Sequence, residues 1–218
     1  MFGLTQLFFA FNSLFIGYYF FSKNIPKINL CRKILKYCGY KFEILDLNNM
    51  PSKLIIIGSH TSIYDFFIGA IYYYAILHEK YDSYILMKNN FEIFVTPLLK
   101  MIDSKFKLIS VGKNKNGLTK TICNHLKDKE NYLLFIAPEG TRKITDKIKS
   151  GYWVISKELN INISYIGIDF DSKNIYLEKW RSPCNDWESE QYEFINSCKK
   201  YVPLYPERCF WTKEFYYD

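Results

Sequence analysis

The stretch Gly58-Ser59-His60-Thr61-Ser62-Ile63-Tyr64-Asp65 follows the strand-like run Leu54–Gly58 and holds the residue pair best suited to moving a proton. Histidine has the side-chain pKa closest to neutrality, so it suits taking a proton from an alcohol. An aspartate five residues on can fold back across a strand-to-helix turn and accept the other ring N–H. That contact fixes the tautomer and stabilises the imidazolium. No serine nucleophile is implied, because the Gly-x-Ser-x-Gly elbow is absent. The base would act directly on a bound substrate hydroxyl. The same residues have a plainer use. Ser62-x-x-Asp65 is a capping box, with Ser62 as N-cap and Asp65 at the third helical position, which leaves His60 an ordinary loop histidine.

A second string, Ala137-Pro138-Glu139-Gly140-Thr141-Arg142, ends the strand-like run Tyr132–Ala137. Loops at the carboxyl ends of parallel strands are where α/β folds place their sites. Gly140 lets the backbone turn or approach a ligand, Thr141 offers a hydroxyl, and Arg142 a bidentate fork for phosphate. Lys143, Lys147 and Lys149 deepen the positive field nearby. A solvated turn with a surface arginine accounts for this string alone equally well.

Together the two strings are far more specific than either. HTSxxD followed 79 residues later by PEGTR resembles the glycerolipid acyltransferase family, whose type members are lysophosphatidic acid acyltransferases. The resemblance runs from about Lys53 to Lys173. It takes in Lys88, the stretch Leu108-Ile109-Ser110-Val111-Gly112-Lys113, the run Lys149-Ser150-Gly151-Tyr152 and the strand Ile166-Gly167-Ile168-Asp169. It implies transfer of a fatty acyl group from acyl-CoA or acyl-carrier protein to the free hydroxyl of a lysophospholipid, with 1-acylglycerol 3-phosphate giving phosphatidic acid as the first candidate. His60 would be the general base and Asp65 its orienting partner. Arg142, Lys113, Glu139, Gly140 and Thr141 would form the phosphate-binding side, with Glu139 against the glycerol hydroxyl. Backbone N–H groups at the helix start near Ser62 would face the oxyanion; Phe66, Phe67, Ile71 and Tyr72–Tyr74 are candidates to line an acyl tunnel, with core packing the expected role of most of them. The thioester is a cosubstrate; no metal or redox cofactor is implied.

Three departures stand out. Lys113 replaces the arginine that usually ends the second motif, keeping the charge and losing the planar fork. Ser59 precedes the histidine where many members have asparagine, and the usual proline near Ser164-Tyr165 is missing. These put the acceptor head group and acyl-chain selectivity in question. Another lysophospholipid, or glycerol 3-phosphate, stays open as acceptor. So do a catalytically silent lipid-binding protein on the same fold and a hydrolase that releases fatty acid to water.

The elements that must position these residues read as an α/β domain with a single, mostly parallel sheet flanked by helices. Short apolar runs at 42–47, 54–58, 83–87, 107–111, 132–137, 163–170 and 175–177 predict strands; helical stretches at 62–77, 91–101, 118–127, 151–159 and 188–201 predict helices, and 28–38 a short basic amphipathic one. With 218 residues, 49% hydrophobic and 23% charged, the chain is neither disordered nor too small for a core.

The net charge of +7 invites a nucleic-acid reading, which its distribution excludes. Residues 1–22 carry no charge, and 15 of those 22 are apolar. Residues 23–42 hold six basic side chains and no acid, and the remainder is balanced to +1. That pattern predicts a membrane-anchoring helix at 1–22, a basic juxtamembrane collar at 23–41 and an acyltransferase-like domain at 42–218, held at a membrane and facing the cytosol. As a helix the first segment is roughly 33 Å long, about the thickness of the hydrocarbon core. A signal peptide fits poorly, for want of a basic start and a small-residue cleavage site. Six cysteines without a Cys-x-x-Cys pair predict buried, reduced thiols rather than a zinc site or disulfides. Trp153, Trp180, Trp187 and Trp211 divide between an interfacial belt and ordinary packing.

Overall fold

The computed structural model describes residues 27–43, 47–88, 105–111, 117–145 and 147–211. Seven strands form one sheet: β1 (Lys41–Phe42), β2 (Lys53–Ile57), β3 (Asp82–Lys88), β4 (Phe106–Val111), β5 (Tyr132–Ile136), β6 (Asn162–Asp169) and β7 (Asn174–Leu177). Their order is β1-β7-β6-β2-β5-β3-β4. All neighbours run parallel except the hairpin β6/β7. The protein is therefore α/β with a mixed, mostly parallel sheet.

β2 lies between β5 and β6, both parallel to it. Its Leu54, Ile55, Ile56 and Ile57 are fully buried, as a strand covered on both faces requires. The alternation of side chains sends Leu54 and Ile56 into one apolar cluster and Ile55 and Ile57 into the other. The first cluster lies under α1 (Lys27–Tyr37) and α2 (Ile63–Tyr72), the latter prolonged by a π-helical turn, Tyr73–Leu77. The second lies under α3 (Leu118–Leu126), α4 (Gly151–Leu159) and α5 (Trp187–Cys198). The result is three layers, helix, sheet, helix.

The predicted basic helix is present as α1, but it belongs to the domain rather than standing off from it. Cys31, Leu35 and Cys38 are buried against α2 and the π-turn, and Arg32 Nε donates to the carbonyl of Ala75 at 2.8 Å. Lys33, Lys36 and Tyr37 stay exposed. Of the strand expected at 42–47, Phe42 lies in a strand with Lys41 and Glu43 does not, residues 44–46 lie outside the described residues, and Leu47 opens a 3-10 turn, Leu47–Asn49. No helix among the described residues is long and apolar enough to cross a membrane. The segment 1–22 and the helix predicted at 91–101 lie outside the described residues.

α5 is locked to the sheet through a buried acid. Glu190, with no exposed surface, accepts from Tyr165 Oη at 2.8 Å, from both terminal nitrogens of Arg181 at 3.1 Å, and from Cys184 N at 2.8 Å. Full pairing is what makes a carboxylate tolerable there. Trp153 and Trp187 pack on each other, and Trp153 Nε1 donates to the Cys184 carbonyl. Trp180 packs against the first cluster and Trp211 is buried in the second, so all four indoles serve packing. The described residues include all six cysteines and contain no disulfide.

Candidate active site

His60 and Asp65 meet where β2 gives way to α2. β2 ends at Ile57, and Gly58 N extends the ladder one step to Ile136 O at 3.3 Å. Glycine is required at 58: a Cβ there would sit 2.8 Å from Ile166 Cγ2 and 3.0 Å from the Ile166 carbonyl. His60 Nδ1 then lies 3.2 Å from Asp65 Oδ2, with the two side chains 26% and 11% exposed.

The capping box is also formed, and it is what holds the aspartate. Asp65 Oδ2 accepts from the backbone N–H groups of Thr61 at 2.8 Å and Ser62 at 2.7 Å, and Oδ1 from Ser62 Oγ at 3.2 Å. Ser62 Oγ in turn accepts from Tyr64 N at 3.0 Å. The two readings of this string are therefore one device. An ionised carboxylate at a helix N-terminus is favoured by the exposed N–H groups there. The oxygen that takes the two backbone N–H groups, Oδ2, is also the one that faces His60 Nδ1, so a single atom serves both the cap and the histidine. With Nδ1–H given to Asp65, Nε2 carries the lone pair. The same bonds correct one expectation: the N–H groups of Thr61, Ser62 and Tyr64 are engaged within the cap, so they do not face an oxyanion.

A cavity of about 670 Å³ opens at His60 and Asp65, within the roughly 300–1,000 Å³ common for small-ligand sites. One limb runs along α2, over the sheet face that carries Phe106, the first residue of β4, and Phe135 near the end of β5. Asp65, Phe66, Gly69, Ala70 and Tyr73 line it from a single helical face, opposite Phe106 and Phe135. Phe67, Ile71, Tyr72 and Tyr74 are not in its wall; the last three are core residues. A Cβ at Gly69 would meet nothing within 4 Å, so the helix leaves open space there.

The second string borders the other side. Gly140, Thr141, Arg142 and Lys143 line the cavity, and the Arg142 and Lys143 side chains are exposed. A turn closed by Gly140 N to Ala137 O at 3.0 Å sets this loop, with Gly140 at φ +61°. Lys149 crosses so closely over Gly140 that a Cβ would fall 2.0 Å from its Nζ. The positive φ calls for glycine, whereas the end of the lysine side chain can swing aside. Glu139 is placed differently from the expectation. It is 6% exposed, lies outside the cavity wall, and accepts from Ser59 Oγ at 2.7 Å, so it is in no position to touch a glycerol hydroxyl. Lys113 lies outside the described residues.

Several residues round the site escape sequence reading. Arg208 Nη1 donates to the Thr61 carbonyl at 3.2 Å, and its guanidinium stacks on Tyr205 at 4.0 Å. Cys198, Tyr201 and Trp211 line the cavity. Burial, with the nearby Glu139 and Asp65 carboxylates, pushes the Cys209 thiol up to about 12, and burial holds Cys198 well above the ordinary thiol range. Both stay protonated at neutral pH, so neither is a nucleophile. Only their distance along the chain hides these residues: Arg208 is 147 positions from Thr61. Among the described residues no cluster of three His, Cys, Asp or Glu is arranged to hold a metal ion.

Compared with protein-family models and with curated proteins, the chain finds no match in either.

Proposed function

We propose that this protein is an O-acyltransferase that moves a fatty acyl group from a thioester to the free hydroxyl of a lysophospholipid, with 1-acylglycerol 3-phosphate as the leading acceptor. The observation that carries the reading is the His60–Asp65 pair, 3.2 Å apart and fixed by a helix cap, at an apolar cavity bordered by the exposed Arg142. His60 Nε2 takes the acceptor hydroxyl proton as its oxygen attacks the thioester carbonyl. Asp65 balances the imidazolium that forms. Collapse of the tetrahedral adduct breaks the C–S bond, and the thiolate leaves and recovers the proton from imidazolium. Arg142 holds the acceptor phosphate and so positions the hydroxyl, a large term in such reactions. The apolar limb along α2 takes an acyl chain.

The uncharged segment 1–22 anchors the enzyme to the bilayer that contains acceptor and product, and exposed Lys33 and Lys36 on α1 favour an anionic, cytosol-facing surface. The test is thiol release from a long-chain acyl-CoA by the protein in detergent, with and without lysophosphatidic acid, the lipid product identified by mass. Release that needs the lysolipid and yields the diacyl product supports transfer. Release without acceptor identifies a thioesterase, and no release from any thioester leaves a lipid-binding protein.

Gly69 gives a second expectation. Gly69→Leu places a side chain in open space on the cavity face of α2 while improving helix propensity. The variant should fold as well as the parent and prefer shorter acyl chains. Each methylene that loses its seat costs about 0.8 kcal/mol, roughly fourfold in relative kcat/KM. Competition between acyl-CoA species of graded length reads this directly, and an unchanged chain profile removes the α2 limb as the acyl site.

A further inference from the structure

The loops that carry His60 and Arg142 leave neighbouring parallel strands at one level, since Ile57 stands opposite Ile136. Two residues past that pair stands Ser59, half-buried on the cavity wall, and three past it the buried Glu139 turns inward, so that Ser59 Oγ donates to Glu139 Oε1 at 2.7 Å. This hydrogen bond joins residues 80 apart in sequence, one from each of the two strings. Glu139 is buried beneath the cavity wall rather than in it. Burial raises its pKa against the pull of the Ser59 hydroxyl, of the backbone N–H groups of Glu139 and His60, and of the His60 ring. The main groups that oppose this rise come from its own backbone and from the His60 loop.

We propose that Ser59 and Glu139 are a positioning tie, which fixes the distance between the base and the cation that grips the acceptor phosphate. The inference rests on the acyltransferase reading above. His60 follows Ser59 directly, and Arg142 follows Glu139 by three residues across the rigid turn at Gly140. A hydrogen bond from a half-buried hydroxyl to a buried carboxyl group is directional and costly to leave unmade. It selects for a phosphate-bearing acceptor, because only that substrate is gripped at both ends. An acylglycerol without phosphate is held by its chain and engages the base alone.

The readout is therefore acceptor preference, which mere loosening of the fold does not move. Ser59→Ala should lower kcat/KM for 1-acylglycerol 3-phosphate about 10- to 100-fold, the order expected when a gripped substrate is misplaced by about 1 Å. It should leave monoacylglycerol far less affected, so that preference for the phosphate collapses. Ser59→Thr keeps the hydroxyl and should restore it. Should Ser59→Ala melt early, Ser59→Cys serves as a near-isosteric variant with only a weak donor and the same expected loss of preference. Equal losses with both acceptors, or a preference that survives Ser59→Ala and Ser59→Cys, overturn the tie while leaving the acyltransferase intact. A parent protein that acylates neither acceptor overturns both.

Discussion

Replacing His60 with alanine should abolish lysolipid-dependent thiol release while leaving a folded protein. A positioned general base contributes about 10²–10⁴-fold, so a loss of at least about 10³ in kcat is expected where no other base lies at the hydroxyl. The imidazole is a quarter exposed and, among the described residues, its side chain bonds to Asp65, so its removal opens no cavity in the core. The melting temperature should stay close to that of the parent. His60→Gln, which keeps polar bulk but cannot take up a proton, should be equally inactive. Transfer that persists within about tenfold of the parent in His60→Ala would remove this residue from the chemistry.

Asp65 should show two separable losses. Asp65→Asn retains an oxygen that can accept from the N–H groups of Thr61 and Ser62, so the helix start survives, but the charge that balances the imidazolium is gone. Its kcat should fall about 10²–10⁴-fold with melting nearly unchanged. Asp65→Ala should lose activity to a similar degree and also lose the cap, worth about 1 kcal/mol. In a chain of this size that is a drop of about 2–4 °C. If Asp65→Asn keeps full activity while Asp65→Ala melts early, the aspartate is a cap and nothing more.

Much of this arrangement was legible in the residues. Six of the seven strands fall within a residue or two of the runs that predict them, because β2 to β7 carry β-branched and aromatic residues bounded by turn formers. At β1 pairing counts for more than apolar content: among the described residues Lys41 and Phe42 find partners on β7 and Glu43 does not. The His60–Asp65 contact was readable since a five-residue spacing over a strand-to-helix turn is local geometry. Glu139 was misplaced for the opposite reason. Its letter says carboxylate, and only the register of β2 against β5 decides that it turns inward to Ser59. Arg208, Cys198 and Trp211 reach the site through the packing of α5 and the segment after it, which no local spacing encodes.

The order in which the sheet is laid out also constrains how the protein is made. β1 is the first strand to leave the ribosome, yet its register partners are Asn174 and Ile175; β2 must wait for β5 before one side is covered and for β6 before both are. Until then Leu54–Ile57 is an open apolar edge, the kind of nascent strand that recruits other chains. Under the proposed membrane anchoring, the uncharged segment 1–22 does not wait for a later strand. It is free of the exit tunnel and within reach of a bilayer long before the central strand can close. Under the membrane reading, anchoring comes before folding, and the catalytic domain assembles while already tethered beside the surface it will work on.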